Sequence, residues 1–262
     1  VGIAGQLISG TEVNFPEEPE TVQENIREIG PTILFFAPRL WENLNRMIQA
    51  KIIDTTAIRR WIYQFFLLIG YKTLEYCTTQ KCWKPFWQLI RLIANWVIFR
   101  PLRDRVGLSK TRCAYTAGSA VSPEILRYFR TIGVNIKQVY GGSEQGLVTL
   151  QRDGEIKYET SGKPVPGVEV RLSPEGEILV RGEHIFSGYY KKPEATQERI
   201  RDGWYHTGDF GYFDGDGQLI VIDRMEDLKE LKGGRKFSPQ YAEVRLRFCP
   251  YIKDALVIGG EE

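Results

Sequence analysis

Six consecutive residues, Val139-Tyr140-Gly141-Gly142-Ser143-Glu144, constrain this chain more than any other stretch. Ahead of them, Gly133 to Val139 alternates small or apolar with polar residues in the period of a strand, and the glycines at 141 and 142 then break it. The pattern predicts a turn at a strand end, and in open α/β sheets ligands bind in crevices beyond the carboxyl ends of strands. Tyr140 can offer a ring face to a purine, and Ser143 can hydrogen-bond a phosphate oxygen. Glu144 suits Mg²⁺, which is normally held by one or two carboxylates plus substrate phosphates. Two later stretches complete the set, Gly203-Trp204-Tyr205-His206-Thr207-Gly208-Asp209 and Ile222-Asp223-Arg224, the second closing a strand.

At 262 residues and 42% apolar composition the chain can bury a substantial core. Net charge is +2, yet residues 51–110 hold 11 Lys/Arg against 3 Asp/Glu, which leaves 24 against 30 elsewhere. The basic charge is local, and no nucleic-acid partner is expected. Cys77, Cys82, Cys113 and Cys249 lack the paired spacing of a zinc site and have only two histidines to help them, so they read as free thiols of a cytoplasmic protein. The first ten residues carry no charged n-region and no initiating Met; the chain reads as an internal piece of a longer one.

Along the chain, Thr21-Val22-Gln23-Glu24 has the pattern of a capping box opening a short helix to Ile29. Pro31 to Ala37 is a compact apolar run that suits a buried parallel strand. A helix through Trp41, Leu44 and Ile48 is expected from Pro38. Residues 57–100 hold two aromatic-rich apolar sets, Trp61 to Ile69 and Phe86 to Val97, at helical spacing and shorter than the roughly 20 residues that span a bilayer. They read as a helical hairpin packing an apolar face on the domain. The alternative is a helix pair with a basic flank lying in a membrane interface, a peripheral contact.

Arg112 to Thr116 is a short strand, Ala117-Gly118-Ser119-Ala120 a loop of small residues, and Ser122-Pro123-Glu124 a helix start with an N-cap hydroxyl. Such a loop lets backbone approach a planar ligand, although a tight β–α turn without ligand has the same lettering. From residue 151, short strands alternate with acidic turns in hairpin fashion, and Ala255 to Ile258 is expected to be a final strand. Asp209-Phe210-Gly211 spells a kinase metal motif without its companions. Asp214-Gly215-Asp216-Gly217 resembles a calcium loop without its sixth-position Gly and twelfth-position Glu, and both are read as turns.

Tyr140-Gly141-Gly142-Ser143-Glu144 resembles the Tyr-Gly-x-Ser/Thr-Glu motif of the AMP-forming adenylating enzymes, a family of acyl-CoA synthetases, luciferases and peptide-synthetase adenylation domains. It is followed in order by Gly176 to Gly182, Gly188-Tyr189-Tyr190 with Pro193-Glu194-Ala195-Thr196, Tyr205 to Asp209, and Asp223-Arg224. Asn14 to Thr21, Phe36 to Glu42 and Ser161 to Gly167 look most like long-chain fatty acyl-CoA synthetases. The resemblance implies an α/β fold: a parallel-sheet αβαβα-type adenylation domain portion, then a β-rich subdomain and the start of a small α+β C-terminal domain. Residues 1–223 would belong to the large domain and 224–262 to the hinge and the small one.

It also implies a long-chain fatty acid-CoA ligase using ATP, Mg²⁺ and CoA. The alternatives are a fatty acyl-AMP ligase that delivers to a carrier protein, and a non-catalytic nucleotide- or lipid-binding module. By residue, Tyr140 would flank adenine, with Gly141 and the loop Gly118-Ser119-Ala120 lining the adenine and acyl pockets. Ser143 would meet the α-phosphate, Glu144 would hold Mg²⁺, Asp209 would accept the ribose hydroxyls, and Arg224 would point to ribose or phosphates. Glu226 would be the hinge pivot, departing from the usual Asp or Lys, and Lys232-Gly233-Gly234 the loop for thioester formation. His206 stands where many relatives carry Arg or Lys, and is given a supporting role. A phosphate loop upstream and a catalytic lysine beyond Glu262 are implied, so these 262 residues alone are expected to turn over poorly or not at all.

Overall fold

The computed structural model describes residues 9–18, 20–79, 85–118, 121–230, 236–249 and 251–258. The first layer is a sheet of strands β1 (Ile33–Phe36), β2 (Cys113–Thr116), β3 (Ile136–Gly142), β4 (Gly146–Leu150) and β5 (Lys163–Pro164), in that spatial order. β1, β2 and β3 run parallel, whereas β3, β4 and β5 pair antiparallel, so the sheet is mixed. Helices α1 (Val22–Ile29), α2 (Pro38–Ile53), α3 (Ala57–Thr79), α4 (Pro85–Ala94), α5 (Arg100–Arg105) and α6 (Pro123–Thr131) supply the helical layer.

The 3.6-residue period places Trp41, Leu44 and Ile48 of α2 on one buried face. Trp41 meets Phe129 of α6 edge-on, ring centroids 4.8 Å apart, and Phe36 of β1 at 5.6 Å. These side chains form the main core together with Ile125, Tyr128, Ile132 and Ile136. The Tyr63 hydroxyl of α3 donates to Tyr128 over 3.0 Å, which ties the helical hairpin to α6. Between α4 and α5, Asn95–Phe99 forms a π-helical turn, and Phe99 faces inward.

The second sheet is antiparallel, with β10 (Leu219–Arg224), β9 (Trp204–Phe213), β7 (Glu177–Gly182) and β6 (Val168–Leu172) in that order, and β8 (Ile200–Arg201) beside β9. A short helix α7 (Pro193–Arg199) precedes β8, and β11 (Lys229–Glu230) pairs with β12 (Lys236–Phe237) ahead of α8 (Pro239–Leu246). The acidic turns do punctuate hairpins: Asp214 accepts the amides of Asp216 and Gln218, and Lys157 pairs with both Asp214 and Asp216.

A backbone crossing joins the two sheets. The Ser161 amide donates to Leu219 of β10 at 2.7 Å, and the Leu219 amide returns a bond to Gly162 at 2.9 Å. Thr149 of β4 donates to the Ser161 carbonyl from the other side. Gly162 has φ +86°, and a Cβ there would lie 2.3 Å from the Leu150 carbonyl carbon and oxygen. Only glycine fits between the sheets.

Several local expectations are corrected. Thr21 does not form a capping box; its hydroxyl donates to the Glu18 carbonyl and accepts from the Glu18 amide, the closer partners. The Ser122 hydroxyl does not cap α6 but donates to Glu124, whose carboxylate is drawn to Arg245. The β1 strand is parallel as expected but only half buried. As an edge strand it leaves Ile33 and Phe35 each 56% exposed on its second face. Ala255 to Ile258 forms no strand, and Leu256 and Ile258 point to solvent; the Val257 amide bonds Glu243 instead. Asp209-Phe210-Gly211 is not a turn either, because it lies inside the ten-residue strand β9. The hairpin at 57–100 is present, with inner faces packed and outer faces exposed.

Replacing Gly162 by Ala adds a clash to an unfavourable φ and should cost about 3 kcal/mol or more in urea unfolding. Gly154, with φ +87° and no atom within 4 Å of the place a Cβ would take, is the control. Its Ala variant should lose only about 1–2 kcal/mol. Equal losses at the two positions would mean that Gly162 is not wedged between the sheets.

Candidate functional site

The glycines at 141 and 142 do not end β3. They continue it into a hairpin with β4, with Gly142 opposite Gly146, and residues 143–145 form the turn. The register slips between Tyr140 and Gly141, and a Cβ on Gly141 would lie 2.1 Å from the Gly146 carbonyl oxygen. Glycine at 141 is therefore required by the close approach of β4. The hairpin exposes Ser143, half-buries Glu144 and buries Gln145.

A second irregularity faces this hairpin. Leu179 of β7 pairs with His206 and Glu177 with Phe210, so β9 carries two extra residues between those pairs. Thr207-Gly208-Asp209 is thus a β-bulge, the device that re-aims side chains beside sites. Gly208 takes φ +74° to make it. The Thr207 hydroxyl donates to Ile178 at 2.8 Å and accepts the Asp209 amide at 3.0 Å. Glu177 braces the other side: one carboxylate oxygen accepts the Gly208 amide and the other lies against His206 Nδ1, both at 2.9 Å.

The bulge brings Asp209 to Tyr140. The phenol donates to Asp209 Oδ2 at 2.5 Å, and Arg224 Nη1 approaches Asp209 Oδ1 at 3.1 Å while also donating to the Thr207 carbonyl at 3.1 Å. Tyr140 and Arg224, 69 positions before and 15 after Asp209 in sequence, thus converge on its carboxylate. Asp209 is only 9% exposed. Burial raises its pKa above the ordinary 3.8, against the lowering effects of Tyr140, Arg224 and Arg199. Burial, then the Asp209 charge, pushes the Tyr140 phenol well above its ordinary range, which keeps it a donor.

Glu144 sits against an aromatic wall. Tyr189 donates to Glu144 Oε1 at 3.1 Å, and the Phe186 amide donates to the Glu144 carbonyl at 2.8 Å. Phe186 packs edge-on against Tyr189 and Tyr205, at 4.8 and 5.6 Å. Burial, reinforced by Glu144, lifts the Tyr205 phenol to about 12. Among the described residues no cluster of three or more His, Cys, Asp or Glu could hold a metal alone. A lone, oriented carboxylate fits Mg²⁺ that takes its other ligands from phosphates and water.

The remaining sequence-derived candidates are dispersed. Gly118 lies in an exposed loop with φ +103° and open space where a side chain would be. Glu226 is exposed in a 3₁₀ turn, Met225–Asp227, directly after β10. Ser119, Ala120, Lys232, Gly233 and Gly234 lie outside the described residues. Sequence reasoning gave no role to Glu177, Thr207, Tyr189 or Arg199. The first three stand inside motifs that were recognised, and their contacts depend on the bulge and the aromatic wall.

Comparison with known proteins follows the same lines. A family model for the AMP-binding enzyme matches residues 1–190. Long-chain-fatty-acid–CoA ligase FadD15 of Mycobacterium tuberculosis is 37% identical over 164 residues, covering 62% of this chain and 27% of that protein. Long chain acyl-CoA synthetase 1 of Arabidopsis thaliana is 30% identical over 258 residues, covering 91% and 37%. The chain spans less than half the length of these relatives. The adenylation domain of a carboxylate reductase from Mycobacterium chelonae superposes with a TM-score of 0.65 at 23% identity, covering 92% of this chain and 34% of that one. The fold is the α/β adenylation-domain fold with a β-rich region.

Because Asp209 holds its proton more readily when folded, its ionisation costs stability as pH rises from its unfolded value through its folded one. Asp209→Asn removes that loss. The variant should match wild type in thermal unfolding near pH 4 and be the more stable of the two at about pH 7. A variant less stable than wild type at neutral pH would mean that the ion pair with Arg224 outweighs burial.

Proposed function

The chain belongs to the AMP-binding enzyme family, and we propose that the intact protein is a long-chain fatty acid-CoA ligase working through an acyl-adenylate. The observation that carries this reading is the convergence of Tyr140 and Arg224 on the buried Asp209 carboxylate, a point where two sheets meet. The names of the relatives favour a fatty acid as the carboxylate and CoA as the acceptor.

In this reading a fatty carboxylate oxygen attacks the α-phosphorus of ATP and pyrophosphate leaves. The CoA thiolate then attacks the acyl carbon and AMP leaves. Such steps depend mostly on positioning and charge stabilisation. Asp209 accepts the two ribose hydroxyls, for which a carboxylate has enough lone pairs even while Tyr140 and Arg224 hold it. Tyr140 flanks adenine beside the small-residue loop at Gly118, and Ser143 donates to the α-phosphate. Glu144, oriented by Tyr189, is the ligand for magnesium, which when bound neutralises phosphate charge. Arg224 serves the ribose or phosphates, Glu226 the hinge, and Lys232-Gly233-Gly234 the thioester-forming step. The large domain ends near Asp223 in this scheme. Free thiols at Cys113 and Cys249 suit a cytoplasmic setting.

On the intact gene product, labelled pyrophosphate should exchange into ATP only when a long-chain fatty acid is present. Glu144→Gln, which keeps a partner for Tyr189, should slow that exchange about 100- to 1,000-fold. Thioester should form with CoA. Product appearing only on a holo-carrier protein would favour the acyl-AMP ligase, and AMP binding without any exchange would reduce the protein to a binding module.

A further inference from the structure

Arg199 is the last residue of α7, and that helix is pinned to the aromatic wall that orients Glu144. The Thr196 hydroxyl accepts the Tyr189 amide at 2.9 Å and donates to the Lys192 carbonyl at 2.9 Å. Gly188, with φ +143°, makes room for it, since a Cβ there would lie 2.7 Å from the Thr196 methyl carbon. Three residues on, Arg199 reaches the opposite flank of the site. A Cβ built on Gly208 would lie 2.9 Å from Arg199 Nη1 and 4.0 Å from Arg224 Nη1, so glycine at this position lets two guanidinium groups close on one point of the bulge. One short helix therefore fixes both Tyr189, which holds Glu144, and a cation beside the strand segment that carries Asp209.

The partners of the neighbouring charges single out Arg199. Asp209 is answered by Tyr140 and Arg224. Glu177 is taken up by the Gly208 amide and His206. Arg199 is exposed, and its bond to the His206 carbonyl spans 3.4 Å, longer than an ordinary N–H···O contact. No carboxylate among the described residues lies within ion-pair distance of it. A guanidinium presents five N–H donors in a rigid fork, so most of those of Arg199 have no acceptor among the described residues. Its charge nevertheless bears on the site, where it opposes the rise that burial causes in the pKa of Asp209 and of Tyr205.

A basic residue in the last turn of a helix commonly does no more than complement the helix dipole. Here the guanidinium instead lies against a second strand, next to another cation. Like charges repel at such range unless an opposite charge compensates both, and Asp209 pairs with Arg224 alone. The second cation is left for an anion from outside. Beside a ribose held by Asp209, that anion is the phosphate of the same nucleotide, and the arginine fork matches phosphate oxygens in pairs.

We propose that Arg199 is a nucleotide-binding residue, donating from the end of α7 to the phosphate nearest the ribose, with Arg224 on its other side. This contact rests on the nucleotide reading of Asp209, and adenosine, which has the ribose without the phosphate, tests the two separately.

The intact gene product is titrated calorimetrically with AMP and with adenosine at about 0.1 M salt. Wild type should bind AMP more tightly than adenosine. Arg199→Gln should weaken AMP binding about tenfold and leave adenosine binding and the thermal midpoint unchanged. Arg199→Lys, which keeps the charge and loses the fork, should recover part of the AMP affinity. Equal wild-type affinity for the two ligands, or AMP binding by Arg199→Gln as tight as wild type, would overturn the proposal while leaving the Asp209 contact in place. A loss shared by both ligands would also overturn it, and would make Arg199 a brace of the bulge through the His206 carbonyl. Wild type that binds neither ligand would overturn the nucleotide reading as well.

Discussion

A carboxylate taken out of water must be hydrogen-bonded or paired, because its desolvation cost otherwise exceeds what packing returns. Asp209 is in that position, and its two partners come from separate places, Tyr140 from the first sheet and Arg224 from the end of β10. The β9–β10 register sets Arg224 opposite Asp209, whereas keeping Tyr140 within reach requires the two sheets to hold one fixed relation. The crossing at Ser161-Gly162, bonded to β10 on one side and β4 on the other, supplies it.

The site is further shaped by two departures from regular pairing. The slip at Tyr140/Gly141 turns the Ser143-Glu144 hairpin, and the bulge at Thr207-Gly208-Asp209 lifts Asp209 toward it. Each departure leaves backbone groups that regular ladders would have satisfied. At the bulge, Thr207 and Glu177 take up the amides of Asp209 and Gly208. Thr207 and Glu177 thus brace the backbone at and before Asp209.

The same strand end that carries Arg224 also carries Asp223, which accepts from the Ser238 hydroxyl at the start of α8. That helix and its exit are tied to the helical layer through Arg245 on Glu124 and Arg247 on the buried Glu42. A rotation about Met225–Asp227 would break these contacts together and shift the backbone beside Arg224. Site geometry and the placement of the following segment are therefore mechanically linked, whereas the outward face of α3 and α4 shares none of these contacts.

Tyr140, Glu144, Asp209 and Arg224 stood out in sequence as candidates because their types and order carry the pattern, and the helix of Trp41, Leu44 and Ile48 was legible because period is a local property. Roles for Thr207 and Glu177 were not, and Asp209-Phe210-Gly211 read as a turn, because a glycine beside an acid looks alike in a turn and in a bulge. Only the neighbouring strands tell them apart. Likewise Ser122 and Thr21 had cap lettering, but competing partners at Glu124 and Glu18 took their hydroxyls. Sequence by itself determined which side chains this protein can bring to bear and the elements that carry them. Tertiary structure alone decided that Tyr140 and Arg224 meet at one buried carboxylate, Asp209, since pairing register and burial depend on residues distant in the chain.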